Sequence, residues 1–345
     1  MFQRLGEFIA RNWILTILIW VILVVVVRRN TPAWDDVTHD GDLAYMPADM
    51  PSVQGERLLE QAFPDRRSKS EVIVILSRED RQIDVADLET TRSFVCRMQN
   101  LLGASKYAEQ LRVSEDAAKS SLDQPSREAL AQRMERLQQQ AAEAFEAAAS
   151  MLDTDKLMVR DPAGFAHAAH NLALVQEQAG KNREAEELRA LAWNLQPELK
   201  TRANEIVGAW GELPLMYVWS PYTARLGGKL VSRDHRANLI VLGLANEFMA
   251  TENINFIERI EALLPKTKER LPDWPKGLEL GLSGSAVVGS DMLRSAKESM
   301  KNTETATVVL VVAILLIVYR SPVLIAVPLV TIVASVLLAT SLVAQ

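Results

Sequence analysis

The chain has 345 residues, a net charge of −6 and 48% hydrophobic residues. This length allows one or two domains, and its arginines and lysines are interspersed with glutamates, which excludes the concentrated basic face that a nucleic-acid partner requires. A single cysteine, Cys96, excludes an internal disulfide, and its place in an apolar pattern predicts a small buried side chain.

The first predicted element is an apolar run at Trp13–Val27 without ionisable residues. This run would span about 22 Å as a helix, and Phe8–Ala10 before it would bring the span closer to the ~30 Å hydrocarbon core. A cleaved signal peptide is the alternative, but Arg28 and Arg29 stand where a cleavage site needs small neutral residues. We therefore predict that residues 1–29 form an uncleaved membrane anchor.

Residues 30–302 are predicted to form one water-exposed domain that begins with a short helix at Ser52–Phe63. The apolar residues of this helix are expected to face inward, namely Val53, Leu58, Leu59 and Phe63. A second helix is predicted at Asp84–Leu102, with Asp84 as its N-cap and Gly103 just beyond its last turn. Its apolar side should comprise Val85, Leu88, Phe94, Val95, Met98 and Leu101.

The domain is predicted to contain one sheet. The strands are expected at Glu71–Ser77, Leu215–Trp219, Asn238–Leu244 and Leu278–Leu282, and a further helix with an isoleucine and leucine stripe at Asn253–Leu271. The order β-α-insert-β-β-α-β is that of a split-βαβ, or ferredoxin-like, sheet with helices on one face. The predicted fold class is therefore α+β with transmembrane α-helices.

A long helical insert is predicted at Ala104–Trp210. Part of it repeats apolar residues with heptad spacing, typical of a coiled coil: Leu130, Met134, Leu137, Ala141, Ala144, Ala148 and Met151. Asp161 and Pro162 then predict the start of a helix, and residues 166–199 resemble one tetratricopeptide repeat hairpin, whose second helix, Asn182–Leu195, ends before Pro197. We expect this hairpin to pack on the heptad helix, and a peptide-binding groove is the alternative.

Two more membrane helices are predicted in residues 303–345. The first ends at Tyr319, and the second extends from Val323 to about Val343. Arg320, Ser321 and Pro322 leave room only for a tight reversal, so the two helices should form an antiparallel hairpin. Small residues recur every fourth position on the last helix, at Thr331, Ser335 and Ala339, which permits close helix packing in lipid.

The sequence contains no constellation that predicts catalysis, a cofactor or a metal ion. His167 and His170 lie three residues apart on a predicted helix, but no third ligand has suitable spacing. Gly281–Ser285 follows a strand, yet it lacks the lysine of a phosphate-binding loop and is better explained as a strand-to-helix turn. Ser232–His235 is more simply a polar hairpin turn than a charge relay.

Several stretches resemble the MMPL-type membrane transport domain of the resistance–nodulation–division superfamily. They occur in family order as YMPADMPSVQGERLLEQAFP at Tyr45–Pro64, VWSP at Val218–Pro221, KLVSRD at Lys229–Asp234, GLSGSAVVGSDM at Gly281–Met292, and YRSP at Tyr319–Pro322. The resemblance implies a porter subdomain of ferredoxin-like type that faces the periplasm, in a multi-pass protein of the bacterial inner membrane. It also implies a transporter and not an enzyme, with the bilayer and a hydrophobic or lipidic substrate as partners.

The side of the membrane is not settled by charge alone. Three membrane helices place residues 30–302 on one side, and a literal positive-inside count would make that side cytoplasmic, because more basic residues flank it: Arg28, Arg29, Arg294, Lys297 and Lys301 against Arg4, Arg11 and Arg320. That rule is weak for long translocated segments, and the resemblance favours the exterior.

The function expected from this resemblance is that of the N-terminal part of a proton-motive-force-driven exporter of lipids or other hydrophobic molecules. The remaining membrane helices, or other copies of a transporter, would be partners. The alternative is a membrane-anchored interaction module that binds a protein partner through the helical insert. The three apolar runs, at Trp13–Val27, Ala306–Tyr319 and Val323–Val343, contain no Asp, Glu, Lys, Arg or His, so they offer no proton relay.

Overall fold

The computed structural model describes residues 46–63, 67–118, 124–151, 161–200, 213–270 and 274–320, and in addition residues 22, 26, 27, 29, 329–332, 334–336, 339 and 341. The chain divides into two compact units, one of residues 41–293 and one of residues 1–40 with 294–345. The predicted membrane helices at Trp13–Val27 and Val323–Val343 lie largely outside the described residues.

The described residues of the larger unit contain a four-stranded sheet. Its strands are β1 (Ser70–Ser77), β2 (Leu215–Trp219), β3 (Ala237–Leu244) and β4 (Glu279–Ser283), in the spatial order β2-β3-β1-β4. All three neighbouring pairs are antiparallel, and β1 pairs with β3 over its whole length, from Ser70 opposite Leu244 to Ser77 opposite Ala237. The four predicted strands are confirmed to within one residue at each end.

The described helices are α1 (Pro51–Ala62), α2 (Val85–Ala117), α3 (Gln124–Ser150), α4 (Pro162–Gln178), α5 (Asn182–Leu195), α6 (Glu252–Arg270) and α7 (Ser285–Tyr319). One face of the sheet buries alternate residues such as Val72, Val74 and Leu242. These residues share a hydrophobic core with Phe94 and Met98 of α2 and with α6 residues Phe256, Ile257 and Ile260.

Helix α2 begins as predicted but does not end where predicted. The Asp84 side chain accepts a hydrogen bond from the backbone N–H of Asp87, and the Asp87 side chain accepts one from that of Asp84, which forms a capping box. At the other end the helix continues through Gly103 to Ala117. Gly103 is a packing residue, because a Cβ there would lie 2.5 Å from the ring of Phe145 on α3.

The insert therefore does not start at a helix boundary. Its first part is the continuation of α2, and α3 packs along it through Ala141, Ala144, Phe145 and Ala148. The second half of the predicted heptad spacing is thus buried, whereas Leu130 and Met134 are only half-buried. Asp161 caps α4 and Pro162 occupies its first turn, as predicted.

Two predicted apolar faces differ from the structure. Leu58, Leu59 and Phe63 were expected to face inward, but they are 66%, 40% and 53% exposed, and in α1 only Val53 of the predicted set is buried. On α2 the residues Val85 and Leu88 are also exposed, because the core lies against the following turns, from Phe94 onward. Periodicity identified these helices but not the direction in which each apolar arc points.

Candidate functional site

One face of the sheet points away from α2 and α6, and we call it the outer face. Because side chains alternate along a strand, it carries Ile73 and Ile75 of β1, Leu239 and Val241 of β3, and Tyr217 and Trp219 of β2. Val241 is buried and the other five are half-buried. The outer face is thus an apolar surface built on the most regular part of the domain.

A stacked aromatic pair marks one edge of the outer face. The rings of Tyr217 and Trp219 are 4.0 Å apart between centroids and inclined by 17°. Tyr217 lies directly over Gly243, where any Cβ would collide with its ring. This close approach explains why a glycine interrupts an otherwise branched apolar strand.

Polar contacts hold the Tyr217 ring of this pair in place. The Tyr217 hydroxyl lies 2.7 Å from the Ser68 hydroxyl and donates a hydrogen bond to the Glu71 carboxylate at 3.0 Å. Burial raises the pKa of Tyr217 and Glu71 adds to this, while the Ser68 contact opposes it. A neutral phenol fixed in this way presents a flat apolar platform, which is the kind of surface that binds hydrophobic molecules.

Strand β4 leads directly into helix α7. Gly284 connects them with a φ of 112°, and a Cβ at this position would collide with the carbonyl oxygen of Glu71. The Ser285 hydroxyl accepts a hydrogen bond from the Glu71 N–H at 3.0 Å. The stretch Gly281–Ser285 is therefore a strand-to-helix turn whose polar groups serve the fold.

Helix α7 carries the predicted apolar run that ends at Tyr319. Among the residues that the structure describes, it is the one helix long and apolar enough to cross a membrane, judged by length and composition. Its threonines do not expose polar groups, since the hydroxyls of Thr303, Thr305 and Thr307 each donate to the carbonyl four residues earlier. The helix ends before Arg320, which has a left-handed φ of 49°.

The two histidines considered for a metal site are not accompanied by further ligands in the described part of the chain, where no group of three histidine, cysteine or acidic side chains could hold an ion. His170 is 3% exposed, and burial, with the positive charge of Arg189, lowers its pKa. Asp161, the nearest acidic residue in sequence to His167, is occupied by Arg97, Ser93 and the backbone of Gly164.

The Ser232–His235 stretch is a turn. The Ser232 hydroxyl donates to Asp234 at 2.6 Å and accepts from the backbone N–H groups of Arg236 and Ala237. The Ser232 hydroxyl and the Arg236 backbone N–H both donate to the Asp234 carboxylate, and these two hydrogen bonds lower the pKa of Asp234. Cys96 is buried as predicted, and this burial raises its pKa to about 12, so it is not a reactive thiol.

Sequence reasoning missed the aromatic pair and two buried ion pairs. Arg78 at the end of β1 donates to both carboxylate oxygens of Asp87 at 2.6 and 2.7 Å and to the Lys276 carbonyl. Arg97 of α2 donates to both oxygens of Asp161 at 2.7 Å. Only the aromatic pair had a signal, since Tyr217 and Trp219 alternate within a predicted strand.

Comparison with known proteins agrees with a transport role. A family model described as the MMPL family matches residues 118–345. The Probable transport protein MmpL10 of Mycobacterium leprae is 28% identical over 99 residues, which are 29% of this chain. The match spans 10% of that relative's length. The family match starts within the helical insert and does not include Tyr45–Pro64.

Proposed function

Because this chain belongs to the MMPL family of membrane transporters, we propose that it supplies the porter domain and adjoining membrane helices of an exporter of lipids or other hydrophobic molecules. Family membership makes it a transport protein of the MMPL and resistance–nodulation–division type. The proposal includes three further points: the cargo is hydrophobic, transport is outward, and the proton motive force drives it.

The observation that carries the proposal is the outer face. An apolar sheet surface with a fixed aromatic stack at its edge suits a molecule that has a large hydrophobic part. Elsewhere in the described domain, buried charged side chains form ion pairs, as Arg78 does with Asp87. The outer face therefore has the chemistry needed to bind a hydrophobic molecule.

The proposal includes a ferredoxin-like porter domain outside the cytoplasmic membrane. The strand order β2-β3-β1-β4, with α2 and α6 against one face, supports the split-βαβ arrangement. Such a sheet leaves its second face available to a substrate or to another part of the transporter. Proton coupling would use acidic residues outside the three charge-free apolar runs.

Photocrosslinking tests the cargo-binding part of this proposal. A photoreactive amino acid replaces Leu239 on the outer face, and in a matched control it replaces Leu191, which is 37% exposed on α5. In membranes we expect an alkyl-chain lipid analogue to label position 239 and not position 191. Equal labelling of both positions would show that the outer face has no preference for lipid.

Reporter fusions test the topology. A reporter fused after Pro197 should read exterior, and one fused after Ser321 should read interior, because α7 lies between them. A cytoplasmic signal after Pro197 would contradict the exporter arrangement and support the literal count of basic residues. The alternative function, a module that binds a protein through the helical insert, predicts crosslinks to protein at Leu191 and none to lipid at Leu239.

A further inference from the structure

Helix α1 directs its apolar arc away from the domain. Leu58, Leu59 and Ala62 are spaced by one and three residues, so they fall on one side of the helix, and Phe63 follows directly as its C-cap. Leu58 is 66% exposed and Phe63 53%, whereas Val53, on the opposite side of the helix, is 7% exposed. The arc is therefore a genuine apolar surface that the domain itself does not cover.

Gly55 provides independent evidence that this side is open. It lies in the middle of the same arc, and a Cβ added there would meet no atom within 4 Å. Met46 and Met50, which precede the helix, are 46% and 45% exposed and extend the apolar character toward its N-terminus. The opposite side carries Arg57, whereas Glu56, seven residues before Phe63, lies at the edge of the arc and pairs with Arg67 at 2.7 Å.

A narrow apolar arc on a helix that is polar elsewhere matches a helix lying in a membrane interface more closely than a buried core helix. The order of segments along the chain also favours the membrane interface as the surface that covers the arc. Residues 28–50 connect α1 to the apolar run Trp13–Val27, and the protein belongs to a membrane transport family. The exposed thioethers of Met46 and Met50, which both precede the helix, would also insert readily among acyl chains.

We propose that α1 is an interfacial helix, which rests on the bilayer with Leu58, Leu59 and Phe63 inserted at the boundary between headgroups and acyl chains. It gives the water-exposed domain a contact with lipid in addition to its membrane-spanning segments. This inference goes beyond the proposed transport function and does not depend on the identity of the cargo.

Depth-dependent fluorescence quenching tests the proposal on the full chain. Single cysteines replace Leu58, Leu59 or Arg57 and are labelled with an environment-sensitive fluorophore. The native Cys96 is 1% exposed and should stay unlabelled, so one label per chain also reports that each variant has folded. The labelled proteins are reconstituted in phosphatidylcholine vesicles that contain phospholipid with a spin label on its acyl chain.

The fluorophore at position 58 or 59 should lose most of its emission to the spin-labelled lipid and resist quenching by aqueous iodide. The same fluorophore at position 57, on the opposite side of the same helix, should show the reverse. Equal quenching by lipid at all three positions, or none at any, would overturn the proposal. Disulfide formation between two copies that each carry the single cysteine at position 58 would do so as well, because it would place a second copy against the arc.

Discussion

Two helical glycines with opposite surroundings give a sharp prediction at the scale of single residues. Gly103→Ala should destabilise the domain by about 1–3 kcal/mol, because its methyl group would enter the ring of Phe145 in a packed core. Gly55→Ala is the matched control and should stabilise it by about 0.5–1 kcal/mol, since its side is open and alanine is the better helix former. Denaturant unfolding of both variants measures the difference.

Equal stabilisation by both glycine substitutions would contradict the close contact between Gly103 of α2 and Phe145 of α3. The sign of the effect at Gly103, and not its size, therefore decides whether this glycine is present for packing.

The buried imidazole of His170 predicts a dependence of stability on pH. Its pKa is lowered by burial and by Arg189, so the folded protein favours the neutral form. A group of this kind contributes its full stability above its unfolded pKa of about 6.5, and this contribution is lost as the pH falls from there through the folded pKa. We expect the free energy of unfolding to decrease from pH 7 to pH 5.

The variant His170→Gln should flatten this decrease, because it removes the group that must take up a proton. At pH 8 the parent and the variant both have an uncharged side chain here, so that comparison isolates the effect of packing. An unchanged slope between pH 7 and pH 5 in the variant would assign the dependence to other groups.

At the scale of elements, Asp161 attaches the hairpin of α4 and α5 to α2. Burial opposes its ionisation, yet the hydrogen bonds and charge of Arg97, with those from Gly164 and Ser93, hold its pKa below the usual value. Asp161→Ala should destabilise the fold by about 3 kcal/mol, because it leaves the Arg97 guanidinium without its carboxylate. This cost lies near the lower end of the range for a broken buried ion pair, since Arg97 is 18% exposed. Asp161→Asn retains the helix cap and one acceptor for Arg97, so it should destabilise the fold less than Asp161→Ala does.

Hydrogen exchange distinguishes a local effect from a global one. In Asp161→Ala the amides of α4 should lose protection before those of β1 and β3, since the hairpin is attached to α2 and not to the sheet. Loss of protection in the sheet at the same rate would show that the insert and the sheet unfold as one unit.

Most elements were predictable because their signals are local. The strands β1 and β3 are runs of branched apolar residues, and the caps Asp84 and Asp161 have side chains that accept backbone hydrogen bonds within one turn. The end of α2 was not predictable, since Gly103 has the same local appearance as a helix-ending glycine. Its true role depends on Phe145, which is distant in the sequence.

The candidate site was less predictable than the fold for the same reason. The outer face exists only because β2, β3 and β1 pair in a definite register, which places Trp219 opposite Val241 and Ile73 opposite the same valine. The outward arc of α1 is another case, because periodicity gives the presence of an arc but not its direction. Both features depend on contacts across long sequence separations.

At the scale of the whole molecule, the membrane segments bear on how transport could be energised. Uphill transport needs a coupled energy source, and a proton relay needs ionisable groups within the membrane. The three apolar runs of this chain contain none, and α7 satisfies its threonine hydroxyls internally. Because the sheet has an apolar outer face and the three runs contain no charged residue, we expect the chain to bind a hydrophobic molecule but not to drive its transport.

We therefore predict that these 345 residues alone, reconstituted in vesicles with an imposed pH gradient, bind a lipid analogue but do not accumulate it. Binding should fall in a Trp219→Ser variant, because it removes one ring of the stack, and should be unaffected by collapse of the gradient. Accumulation that a protonophore abolishes would contradict the prediction, and it would require a relay assembled from ionisable groups outside the apolar runs. Such groups would have to come from the polar segments or from several copies of the chain.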